Sequence, residues 1–283
     1  MSVAFAYDQE KVDLASGLEE AMGHLWALEL NLNEGDYDLA NTHALHPVTE
    51  LYASMKPALA AADLAADVAI ANALNSLADR TGSDAPLAQA LEAVEETRSI
   101  IDYARNATIG PVSDEANFKL IQMGMLLETS IVEYGVAVSG GQIVEQAEFQ
   151  DGLAFVVRSG QILDTIDAAD IGHSTASSMK ESLAAVQGAY DQKADPSKVE
   201  SLTNRIIDDI NGVLVLEYSP EKVDLAGSLE KTMGHLWALE LNLNEGNYAL
   251  ANTHALHPVT DLYASMKPAL AAADLTADAA VES

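Results

Sequence analysis

The chain has 283 residues, 49% of them hydrophobic, and carries 44 acidic against 14 basic residues for a formal net charge of −30. That balance argues against nucleic-acid or anionic-membrane binding, both of which need clustered lysine and arginine. The lack of cysteine excludes disulfides, thiolate metal sites and covalent haem attachment.

No apolar run reaches the length of a bilayer span. So acidic a surface suits a protein in salty or extracellular surroundings, and it attracts cations. The start Ala4-Phe5-Ala6 has the small-x-small form of a signal-peptidase site, with Tyr7 as a plausible mature start. The charged and long apolar parts of a signal are missing.

Leu14, Leu18, Ala21, Leu25, Leu28 and Leu32 are spaced 4, 3, 4, 3, 4, the core stripe of a bundle helix. Asn33-Glu34-Gly35-Asp36 ends it. Leu45, Val48, Tyr52, Met55 and Leu59 predict a second helix that Pro47 and Pro57 interrupt or kink. An Ala-rich helix through Leu74 and Leu77 follows, then a break at 80–84 and a fourth helix over 86–107. Four helices with short connections predict an antiparallel bundle. The pattern repeats in weaker form, with helices expected at 113–138, 142–168, 174–192 and 196–214. The stretch Gln122-Met123-Gly124-Met125-Leu126-Leu127 echoes Ala21-Met22-Gly23-His24-Leu25-Trp26.

Residues 10–67 return as 221–278 with differences at eight of 58 positions, a spacing too long for a solenoid repeat. The fold class is therefore all-α: tandem antiparallel four-helix bundles, 1–110 and 111–217, with an extra C-terminal helical hairpin, 218–283. A lone hairpin leaves its apolar stripe without cover. It is expected to pack on the bundles or on the same hairpin of a second chain, and a symmetric pairing is preferred.

Six of the seven histidines fall in the two near-identical segments. His24 and His46 each lie 11 residues from Gly35, which puts them at the same height on antiparallel neighbours. His43, His46 and Glu50 share one helical stripe, and Glu20 sits across from Glu50. Pro47 lacks an N–H, so the His43 carbonyl loses its helical partner and the helix should bend there. Three imidazoles and one or two carboxylates can thus converge.

Neutral imidazoles with carboxylates suit zinc, copper, nickel or iron, and bundles build metal sites from inward-facing side chains. Two other uses stay open: partly exposed structural histidines on the flank of the core stripe, and proton transfer. In the weaker second bundle Met125, Ala147 and Gln150 fall opposite His24, His43 and His46, so the scaffold forms without the histidines. The isolated His173 reads as a surface residue.

The segment Met22 to Trp26 with Asn41 to Tyr52 resembles secreted, helical archaeal proteins with a surface-sorting tag. Leu126 to Tyr134, with Glu148-Phe149-Gln150-Asp151, is similar to the extracytoplasmic helical region of high-affinity iron permeases. These resemblances imply an extracytoplasmic helical protein linked to iron or copper handling. They place no ligand on any residue of the second hairpin.

The expected function is non-catalytic binding of copper, zinc or iron by a secreted or cell-surface protein. The expected ligands are His24, His43, His46 and Glu50, with His235, His254, His257 and Asp261 as the equivalent set. The expected partners are the metal ion and a second copy of the chain. The rival is a structural cell-surface or filament subunit built from tandem repeats.

Overall fold

The computed structural model describes residues 7–216 and, beyond them, residues 232, 236, 239, 242, 243, 248–257, 263, 266 and 267. The chain forms two compact units, Met1–Val213 and Leu214–Ser283. The fold is all-α, as expected.

Helix α1 (Gln9–Glu34) starts where the Asp8 carboxylate accepts from the Glu10 N–H, and it ends at Gly35 in the left-handed conformation. All six residues of the predicted stripe are buried. So are Val12, Ala15, Met22, Ala27 and Asn31, which point elsewhere around the helix. A helix covered on one face only would leave those exposed.

The cover comes from both sides. Helices α2 (Tyr37–His46), α3 (Tyr52–Ala62) and α5 (Leu87–Thr108) pack on α1, with α4 (Leu64–Arg80) completing that layer against α3 and α5. Helices α6 (Ala116–Ala137) and α7 (Gln146–Asp164) also pack on α1. The expected bundles 1–110 and 111–217 thus share α1, and both fall almost wholly in the first compact unit.

Between α2 and α3 the backbone forms a single π-turn, Pro47–Leu51, closed by Tyr52 N–H on the Pro47 carbonyl. The expected bend at Pro47 takes this form. The missing proline N–H breaks the α-helical ladder, and one extra residue is absorbed before it resumes.

Val138–Ser139 (β1) and Gln142–Ile143 (β2) pair antiparallel between α6 and α7. This hairpin was not foreseen from the sequence. Gly140 and Gly141 both take positive φ, 59° and 74°, which a two-residue type I′ turn requires. Helices α8 (Ala168–Ile171), α9 (His173–Asp191) and α10 (Pro196–Leu216) follow. Val199, Thr203, Ile206, Ile210, Val213 and Leu214 form the buried stripe of α10. Helix α11 (Tyr248–His257) lies in the second unit. Among the described residues no helix is long and apolar enough to cross a membrane.

Candidate metal centre

His24 reaches the centre from α1, and His43 and His46 reach it from α2. Their rings lie edge to face, with centroids 5.1 Å apart for His24–His46 and 5.7 Å for His43–His46. The three predicted histidines therefore converge, as the equal spacing about Gly35 required.

The carboxylate they meet was not foreseen. It belongs to Asp151 of α7, whose Oδ1 lies 2.7 Å from His24 Nδ1 and 2.9 Å from His43 Nδ1, and whose Oδ2 lies 2.9 Å from His46 Nδ1. One donor atom from each of the four residues lies within 4.8 Å of the others. His24, His43 and Asp151 are at most 3% exposed, and His46 opens slightly to solvent. The flanking position of His24 on the α1 stripe is not a solvent position, because α7 covers that flank. Phe155 of α7 lies edge to face on His24 at 5.3 Å and against Gly23.

Glu50 does not occupy the fourth place. Its Oε1 is 3.8 Å from His46 Nε2, and its side chain is 54% exposed. It stands at the rim with Glu20, Glu133 and Glu148. Burial raises the Glu20 carboxyl, and the Glu50 charge adds to this, against the Ser16 hydrogen bond and His24. Glu133 is pushed up to about 8 by burial, by its hydrogen bond with Glu148, and by the charges of Glu148, Asp151 and Glu50. Burial pulls His46 down, but the Asp151 hydrogen bond and the charges of Asp151, Glu50 and Glu148 outweigh it and leave it raised. Burial opposes ionisation of Asp151, yet the three imidazoles together hold its carboxyl far below the usual carboxylate range.

The amides behind His43 set which of its nitrogens faces the centre. Asn31 Nδ2 donates to the Ala27 carbonyl at 2.8 Å and to Gln150 Oε1 at 2.9 Å, and Gln150 Nε2 donates back to Asn31 Oδ1 at 3.1 Å. This pairing turns the Gln150 oxygen toward His43 Nε2, 2.8 Å away. Nε2 must then carry the proton, which leaves the Nδ1 lone pair facing Asp151. That buried Nδ1 has no hydrogen-bond partner, although Oδ1 is 2.9 Å away. In the neutral ring that Nδ1 lone pair and the carboxylate repel unless a proton or a metal ion lies between them.

His235 and Asp261 lie outside the described residues, and of His254 and His257 the structure describes only the backbone, on α11. The second predicted set therefore lies outside the described side chains. Asp151 and Gln150 could not have been singled out by spacing, since 127 residues separate Asp151 from His24. The one sequence signal was that both stand in the Glu148–Asp151 stretch that resembles the iron-permease region.

The sequence model of the iron permease-associated 4-helix bundle domain matches residues 110–217. The match supports the likeness to the helical region of iron permeases, and it contains α6 and α7 with Glu133, Glu148, Gln150 and Asp151. No curated protein and no solved structure shows significant similarity to this chain.

Proposed function

We propose that the chain binds a divalent transition-metal ion, without catalysing a reaction on it, through His24, His43, His46 and Asp151. The observation that carries this reading is the buried His43 Nδ1, unpartnered and directed at a carboxylate oxygen that His24 already contacts. A metal ion turns that repulsion into coordination. Three imidazoles and one carboxylate suit zinc, copper or iron. Donors about 2.0–2.1 Å from a tetrahedral ion lie about 3.4 Å from one another, so side-chain shifts on the order of 1 Å are enough. The rim glutamates draw cations toward the opening at His46. The iron permease-associated match supports iron among the candidates, and it supports metal handling as the context. The acidic composition and the resemblance to surface-sorted proteins support a secreted or cell-surface setting.

Calorimetric titration of chelator-treated protein with zinc, copper and iron tests the reading. A tight site that His43→Ala and His46→Ala both remove is expected. Binding no tighter than that of the general acidic surface, or unchanged in both variants, defeats it. The near-identical tandem segments favour a second reading, a structural assembly subunit. Metal-independent filaments in electron microscopy would support that instead.

A further inference from the structure

Resting on that metal-binding reading, we infer that Asn31 and Gln150 are positioning residues of the histidine centre. They hold the proton of His43 on the far side of its ring, so that one imidazole is ready for the ion before it arrives. His24 and His46 must first move theirs.

The three rings differ in where their protons lie. The ionised Asp151 carboxylate accepts hydrogen bonds and donates none. Its contacts of 2.7 Å with His24 Nδ1 and 2.9 Å with His46 Nδ1 therefore place an N–H on each of those nitrogens. A metal ion needs a lone pair there, so both rings have to pass that proton to Nε2 or to solvent before they coordinate. The far nitrogen of His46 is not fixed, since Glu50 is 3.8 Å from Nε2, beyond hydrogen-bond reach. His43 is the exception. Gln150 Oε1 lies 2.8 Å from its Nε2 and only accepts, so the proton sits there. His43 Nδ1 keeps its lone pair, buried and without a hydrogen-bond partner.

A side-chain amide has an oxygen end and an N–H end, and which one Gln150 turns to His43 has to be decided. Turned the other way, its N–H would donate to Nε2, and the His43 proton would sit on Nδ1 against Asp151, as in the other two rings. Asn31 decides it. Its Oδ1 accepts from Gln150 Nε2 at 3.1 Å, and its Nδ2 donates to Gln150 Oε1 at 2.9 Å. Asn31 is fixed in turn by the Ala27 carbonyl, which accepts from Nδ2 at 2.8 Å and would repel an oxygen in its place. Asn31 is 0% and Gln150 6% exposed, so water does not compete for these groups. A backbone carbonyl of α1 thereby sets the tautomer of a ring on α2 through an amide on α7.

Proton–nitrogen correlation NMR of the isotope-labelled, metal-free full chain tests this at mildly alkaline pH, where imidazoles are neutral. His43, assigned by the loss of its signals in His43→Ala, should carry its proton on Nε2, and His24 and His46 should carry theirs on Nδ1. With zinc bound, all three should carry it on Nε2. Gln150→Met removes the acceptor at similar size. It should let the His43 proton pass to Nδ1 and should weaken zinc binding in calorimetry at least about tenfold, the low end for a group that orients a ligand. Gln150→Glu still offers an oxygen to Nε2, so it should keep the tautomer and bind zinc no more weakly than the native chain. The native spectrum decides the matter even where Gln150→Met fails to fold. A metal-free His43 protonated on Nδ1 or on both nitrogens, or zinc binding unchanged by Gln150→Met, overturns the inference, while the native chain's own zinc binding still decides the metal reading. No tight zinc site in the native chain defeats that reading and this inference with it.

Discussion

Replacing Asp151 by asparagine keeps the shape of the side chain and removes its charge. If Asp151 is a ligand, Asp151→Asn should weaken metal binding at least about 100-fold, because even groups one shell further out are commonly worth about 10–100-fold. Glu50→Gln should weaken it less than about tenfold, since that carboxylate is exposed and stands 3.8 Å from His46 Nε2. Equal losses in the two variants would return Glu50 to the ligand set.

The same groups set a pH dependence. The Asp151 carboxyl is depressed, so it stabilises the fold above its unfolded value near 3.8, and this contribution fades as pH falls through the folded value. His46 is raised, so its contribution is complete below about 6.5 and is lost as pH rises. Glu133 holds its proton up to about 8, where an unfolded chain would have released it, so it too costs stability as pH climbs from about 4.5. The metal-free protein should therefore melt highest at mildly acidic pH and progressively lower toward pH 8. Metal affinity should run the other way and rise over that range, since ligands and neighbours must shed protons. Thermal scans with and without metal from pH 4 to 8 check both slopes. A metal-free melting temperature that rises from pH 6 to 8 contradicts the assignment.

At the scale of elements, the centre depends on how closely α1 approaches α7. A Cβ on Gly23 would meet the Phe155 ring at 2.6 and 2.8 Å. Gly23→Ala should therefore push Phe155 aside or the helices apart, destabilising the fold by about 1–3 kcal/mol and weakening metal binding by separating His24 from Asp151. Denaturant unfolding and calorimetry read the two effects, and an unchanged affinity would show that the ring yields alone.

This dependence also explains what could be read in advance. The α1 stripe, the turn at Gly35 and the meeting of His24 with His46 follow from local spacing, and they hold. The bend at Pro47 follows from one missing N–H, but its form as a π-turn depends on how the chain packs beyond it. Asp151 is one acidic residue among 44, and only the packing of α7 onto α1 singles it out. A helix pattern records that a face is apolar and does not record which distant helix covers it.

At the scale of the whole molecule, the histidine centre lies entirely within the compact unit Met1–Val213. A chain ending after Leu216 should therefore fold and bind one metal ion as tightly as the full chain binds its first. Loss of more than about tenfold in affinity would mean that the unit Leu214–Ser283 contributes to the site. The same pair of chains tests self-association through 218–283. That segment repeats the sequence of α1 to α3, and in the first copy α7 covers the His24 flank of α1. If a second copy of the hairpin supplies the equivalent cover, sedimentation of the full chain should shift with micromolar concentration and that of the shortened chain should not. Such cover is hydrophobic, so the shift should persist at high salt, where the mutual repulsion of chains with a net charge of −30 is screened. A full chain that stays monomeric under those conditions would rule out pairing through the hairpin.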